Sequence, residues 1–309
     1  MMPAVDPLGV LMRTLVALGP AAVVPVGLAV TAPPEDDATS TNERTFFASA
    51  LRTWARLVRR LVWPAALAFA VALALPAGSL AAALTLPWVL VSALIGAGAL
   101  ARFLSREAKA RFDPAELAID VGHAYLPVGG VWAFVHRADL GVLGFAGTAA
   151  LLTAAHFHYA GFGACVLVGS LARTLPERGK ARDRGDLAAL ALTGASVALL
   201  AIGITVSRSL EVAAAWTLVG GIVLVARLAF RASSAEAAAR TLTRVSASAG
   251  VFAAAFAAHF ATVGFASLDG AALRRMMLFH AGVNALGFVL LGLVARLVVR
   301  RAQEMPRPQ

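Results

Sequence analysis

Six histidines stand in or beside long apolar stretches: His123, His136, His156, His158, His259 and His280. Imidazole suits zinc, copper or iron, serves as an axial ligand to haem, and relays protons. An ionisable group inside a bilayer is costly and usually faces the bundle interior, so each histidine is a functional candidate. Depth follows from the helical rise. His156 and His158 lie roughly 15–20 Å below the surface where their helix enters, at ~1.5 Å per residue. His259 lies about 10 Å down, His280 about 6 Å and Asn284 about 12 Å on the same scale. His156, His158, His259, His280 and Asn284 therefore share the outer half of the membrane on three helices.

That convergence predicts a histidine-lined intramembrane site, with the four histidines as ligands to a metal ion or haem. Positions i and i+2 of an α-helix point to different faces, so His156 and His158 can share one ligand only if the helix distorts. Gly161 and Gly163 permit such distortion. Two other readings stay open. The histidines can serve as a proton relay in a small-solute or ion transporter, or the chain is a non-catalytic structural or sensory membrane protein whose histidines join helices by hydrogen bonds. The choice between enzyme and transporter is not fixed by these residues.

His123 and Asp120 are secondary candidates. Asp120 lies one turn from His123, with Glu116 one turn earlier. A buried aspartate can couple to a proton or cation. The preferred alternative is a carboxylate near a helix N-terminus, favoured by the helix dipole, with Asp113-Pro114 as cap and start. Cys165 is the only cysteine, which excludes an intrachain disulfide and CxxC chemistry. Arg13 snorkels from its apolar stretch. Walker, HExxH and GxSxG motifs are absent, so ATP-driven transport and familiar hydrolase chemistry have no support.

These residues must be positioned by membrane helices. Of 309 residues, 60% are hydrophobic and 14% charged, with a mean hydropathy of +0.79. A soluble domain carries about 25% charged residues. Continuous apolar runs near residues 8–30, 61–76, 82–101, 116–136, 145–172, 187–206, 211–231, 246–266 and 276–298 predict nine spans, each near the ~20 residues that cross the hydrocarbon. The first run has no basic segment before it and is long enough to span, so it reads as a helix rather than a cleaved signal. The expected architecture is all-α: one polytopic transmembrane bundle over residues 1–309.

Charge sets the expected orientation. Alternate loops hold 22 of the 27 basic residues, the opposite loops hold Arg137, Arg208, Arg274 and Arg275, and Arg13 lies within the first run. By the positive-inside rule the N-terminus is outside and the C-terminus cytoplasmic. The net charge of +10 is spread over short loops, which excludes a nucleic-acid face. The partner is the lipid bilayer, and the sequence names no protein partner. The longest loop, residues 31–60, starts polar. It then repeats Phe46, Phe47, Leu51, Trp54, Leu57 and Val58 at helical spacing between arginines, which predicts an interfacial amphipathic helix. Arginines outnumber lysines 25 to two, and with abundant alanine this fits a GC-rich bacterial genome.

Two segments carry a resemblance. His156–Phe162 (HFHYAGF) and Phe279–Phe288 (FHAGVNALGF) resemble the signature segments of YndJ-like bacterial membrane proteins, and Tyr125–Trp132 (YLPVGGVW) is similar to a third. The likeness covers roughly residues 80–300. It implies a multi-pass protein of the bacterial cytoplasmic (inner) membrane and draws attention to His156, His158, His280 and Asn284. Members are sometimes labelled transporters, but the resemblance supplies no reaction.

Overall fold

The computed structural model describes residues 7–32, 43–174, 184–232, 234, 236–264 and 270–304. Among the described residues the chain is helical, with no strand. Nine helices among the described residues are long and apolar enough to cross a membrane. They are α1 (Pro7–Thr31), α2 (Glu43–Ala74), α3 (Ser79–Ser105), α4 (Pro114–Arg137), α5 (Gly147–Ala172), α6 (Arg184–Val206), α7 (Arg208–Arg231), α8 (Ala237–Val263) and α9 (Met276–Glu304). Each matches one run expected from the sequence. Large apolar side chains such as Leu67, Leu90, Val131 and Phe252 face outward. A bundle with an apolar exterior is soluble in lipid, not in water.

Helices adjacent in sequence pack together, as short connections demand: α2 on α3, α3 on α4, α4 on α5, α6 on α7, α7 on α8 and α8 on α9. The α5 helix is the centre. Most of it is buried, and it touches α1, α4, α6, α7 and α9. Asp113 starts α4 as expected. Its side chain accepts from the Ala115 and Glu116 amides at 2.9 and 3.1 Å, and Pro114 follows where no amide hydrogen is needed.

The turn between α2 and α3 is tight, as Pro76 and Gly78 predict. Gly78 adopts φ +147°, a conformation open to glycine. Its amide donates to the Arg137 carbonyl at 2.8 Å, while the Arg137 guanidinium donates to the Leu75 carbonyl at 2.6 Å. The end of α4 thus clasps this turn.

The second span departs from expectation. Its helix begins well before the apolar run expected at residues 61–76. Residues 43–74 form one continuous helix of 32 residues, which runs through Pro64 at the junction of the amphipathic and apolar stretches without ending. Trp54 and Val58 turn toward the bundle: the Trp54 indole donates to the Leu94 carbonyl at 3.2 Å, and Val58 is buried. Leu57 faces outward. The polar start of the 31–60 loop, and the side chains of Phe46 and Phe47, lie outside the described residues, as do Arg178, Lys180, Arg182 and Arg307.

Candidate functional site

The HFHYAGF segment departs from α-helical geometry. Residues Phe157–Ala164 of α5 are π-helical. Widened turns of this kind are frequent at functional sites. Two more lie in the bundle, Gly19–Val23 of α1 and Met276–Leu290 of α9, and all three π segments pack on one another. Gly163 sits at their junction, with Val23 on one side and Val289 on the other. Pro20 has no amide hydrogen, which leaves the preceding turn of α1 short of a donor. Nearby, the Tyr159 hydroxyl donates to the Leu15 carbonyl at 2.6 Å and ties α5 to α1. Ser246 of α8 likewise donates to the Phe288 carbonyl in the π segment of α9 at 2.6 Å.

His158 is wholly buried, and both ring nitrogens are engaged. The Trp88 indole donates to Nε2 at 2.9 Å. An indole N–H can only donate, so Nε2 is the acceptor and the proton sits on Nδ1. Nδ1 then donates to the Ala154 carbonyl at 2.7 Å. Gly19 and Gly129 make room for the ring, since a Cβ on either would stand 3.3 and 2.8 Å from it. This is a neutral, fully satisfied histidine.

The other expected site residues divide. His156 is half-buried, packs edge-on to Phe157 at 6.0 Å, and its Nε2 is buried without a hydrogen-bond partner. It stands on α5, which packs against the helix that carries His280. His280 is also half-buried, with Nδ1 donating to the Ala253 carbonyl of α8 at 3.0 Å. Asn284 is half-buried one turn further along α9. His259 is exposed and rests against Phe260 at 5.8 Å. The α9 helix packs on both α5 and α8, so it brings together His156 and His280 but leaves His259 outside.

Among the described residues the four histidines do not converge as the ligands of one zinc ion would. A protein-bound zinc needs three or four converging ligands. Among the described residues no three His, Cys, Asp or Glu side chains come together. His158 has no free nitrogen, and His259 faces away. Equal depth therefore did not mean one shared centre.

The secondary candidates belong to the arginine-rich end. Asp120 is buried, and its carboxylate pairs with Arg102 and, at 2.6 Å, with Arg106. Its role as a mere dipole-stabilising carboxylate is thereby corrected: it holds two guanidinium groups between α3 and α4. Arg173 of α5 forks onto Glu116 at 2.5 and 2.7 Å. His123 is buried one turn from Asp120. Its Nδ1 donates to the Ile119 carbonyl at 2.7 Å, and its ring meets the Phe162 ring edge-on at 5.4 Å.

His123 also lines a cavity of about 1310 Å³ that opens between the ends of α1, α2, α3, α5 and α9. Sequence reasoning treated the surrounding arginines as markers of orientation only. Arg296 was the available signal, because it stands within an apolar helix, one turn before Arg300.

The family model described as YndJ-like protein matches residues 14–288. The chain is 31% identical over 179 residues to the "Uncharacterized membrane protein YndJ" of Bacillus subtilis (strain 168). The matched stretch is 58% of this chain and 32% of that relative, so the chain spans about a third of the relative's length. No solved structure matches it. The family match takes in the HFHYAGF π segment and the FHAGVNALGF segment packed against it; this polytopic membrane protein belongs to the YndJ-like family.

Proposed function

We propose that the protein passes protons through a polar site formed by His156 and His280, as the working part of an ion or small-solute transporter. The observation that carries the reading is the buried, unpartnered Nε2 of His156, on a helix packed against the π segment that holds His280. An unpaired nitrogen in an apolar interior costs free energy, which makes it a natural acceptor for a proton or a polar solute. A relay tolerates bridging water and a loose pair of groups, whereas a metal centre does not. His158 takes the structural role, and Asn284 stands one turn from His280 as a polar neighbour of the relay.

In this reading the chain resides in the bacterial cytoplasmic membrane, with its N-terminus outside and its C-terminus in the cytoplasm. The purified protein, reconstituted into liposomes under an imposed potassium diffusion potential, tests the relay. Proton uptake above that of protein-free liposomes is expected, with at least a tenfold fall in His156→Ala. Uptake equal to empty liposomes, or unchanged in His156→Ala and His280→Ala, overturns the proposal.

A further inference from the structure

The cavity at the arginine-rich end is lined unequally. Six arginines border it, namely Arg52, Arg59, Arg102, Arg173, Arg296 and Arg300, against three glutamates. Two of those glutamates are already held. Glu116 is forked by Arg173, and Glu304 accepts from Arg300 at 2.7 Å. Arg102 pairs with Asp120, a carboxylate it shares with Arg106. Arg300 also caps the end of α1, donating to the carbonyls of Ala29 and Ala32 at 2.7 Å each.

Arg296 is different. It is only 7% exposed, it lines the cavity, its Nε is buried without a hydrogen-bond partner, and among the described residues no carboxylate pairs with it. A buried guanidinium without a counter-charge is strongly unfavourable. It sits on one stripe of α9 with Val299, Arg300 and Gln303, all lining the same space at helical spacing.

The walls are apolar. Leu28 of α1, Val58 of α2, Ile95 of α3 and Val299 of α9 face the cavity. Its inner end is His123, about 14 Å along α4 from Pro114 at the helical rise. The space far exceeds that of a bare inorganic anion, whose share of volume is of the order of a few waters at about 30 Å³ each.

The geometry points to a binding site for a phosphate ester, with the phosphate on Arg296 and an apolar body against the walls. Arginine's planar fork matches phosphate oxygens two at a time, and a low-dielectric wall strengthens that pairing. The arginines of the α2 face, Arg52 and Arg59, stand at the same cavity and draw the anion in. The site is separate from the histidine pair and stands or falls independently of it. The phosphate can arrive on a lipid headgroup or on a free phosphorylated solute.

Calorimetric titration of the full chain in detergent tests this, using dihexanoyl phosphatidate, dihexanoylglycerol and inorganic phosphate as probes. Phosphatidate is expected to bind at least tenfold more tightly than dihexanoylglycerol, which has the same apolar body without the phosphate. Arg296→Gln is expected to weaken phosphatidate at least tenfold and leave dihexanoylglycerol unchanged, with Arg296→Lys between. Inorganic phosphate that competes at equal concentration assigns the site to a free solute. Competition only in hundredfold excess assigns it to a lipid ester. Phosphatidate binding no tighter than dihexanoylglycerol overturns the proposal, as does full binding by a folded Arg296→Gln. Should Arg296→Gln fail to fold, the wild-type ratio of the two lipids and Arg52→Gln, expected to weaken phosphatidate at least threefold, decide the matter.

Discussion

The Trp88 indole donates to His158 Nε2 across the interface of α3 and α5, and the two rings stack with centroids 5.6 Å apart. That one bond fixes the tautomer of the histidine and closes it to any ligand. Trp88→Phe keeps an aromatic ring but removes the donor. It leaves a buried acceptor unsatisfied, at a cost of about 1–3 kcal/mol. Thermal unfolding in detergent is expected to register that loss, while His259→Ala, at an exposed position, stays within about 0.5 kcal/mol of wild type. Equal stability for both variants removes the structural role from His158.

Asp120 serves two arginines, and that makes its replacement expensive. Asp120→Asn leaves the Arg102 and Arg106 guanidiniums facing each other with one neutral partner. Removing one member of a buried pair costs about 3–5 kcal/mol. The partial exposure of Arg102, 27% of its side chain, sets the expectation near the lower end. The comparison is Glu304→Gln. That carboxylate is 58% exposed in its pair with Arg300, and exposed pairs contribute about 0–1 kcal/mol. Denaturant or thermal melts of the two variants should separate clearly. A mild effect of Asp120→Asn would return it to the simple helix-dipole reading, which expects about 1 kcal/mol or less.

The spans were legible because hydrocarbon thickness and helical rise are fixed lengths. Nine apolar runs became nine helices, and Asp113, Pro114 and Gly78 marked ends that the fold uses. Direction around each helix was not legible. Helical rise expects His259 and His280 at similar depth, yet one faces outward and the other donates to Ala253. Direction is set by packing among helices distant in sequence, such as Tyr159 reaching Leu15. The π segments add to the difficulty, since each widened turn rotates every following residue relative to an ideal helix. The continuity of α2 was missed because polarity changes within one helix as it leaves the apolar stretch, and a change of polarity is not a break in structure.

Orientation carries a separate test. The cavity, Arg102, Arg173 and Arg296 all stand at the end where the basic loops gather. If that end is cytoplasmic, a C-terminal fluorescent-protein fusion is bright and a C-terminal alkaline phosphatase fusion inactive. A reporter inserted into the turn at Asp139–Gly144 should behave in the opposite way. That turn is a sound place for insertion: Leu143 and Gly144 have φ of 51° and 80°, a tight exposed reversal closed by bonds between Val142 and Phe145. Phosphatase activity from the C-terminal fusion reverses the orientation and places the phosphate-ester cavity outside.

The junction of the three π segments depends on Gly163. A methyl group there would overlap the Val289 side chain and stand 3.2 Å from Val23 Cγ1. Neither neighbour can give way easily, because Val23 and Val289 are both fully buried. Overpacking of this kind costs about 1–3 kcal/mol. Gly163→Ala is therefore expected to lower the melting temperature. Gly220→Ala, where nothing lies within 4 Å of the added carbon, is neutral or slightly stabilising. Val289→Ala alone opens a cavity and also destabilises. The double variant places the new methyl in the space the valine vacates. Its loss should fall short of the sum of the two single losses by at least about 0.5 kcal/mol, the scale expected of residues in contact. A proton-uptake assay on the same variants adds a second readout. If the junction positions His156 beside His280, Gly163→Ala slows uptake and the double variant recovers it. Additive stabilities, with uptake untouched by Gly163→Ala, show that the close approach of α1, α5 and α9 plays no part in building the site.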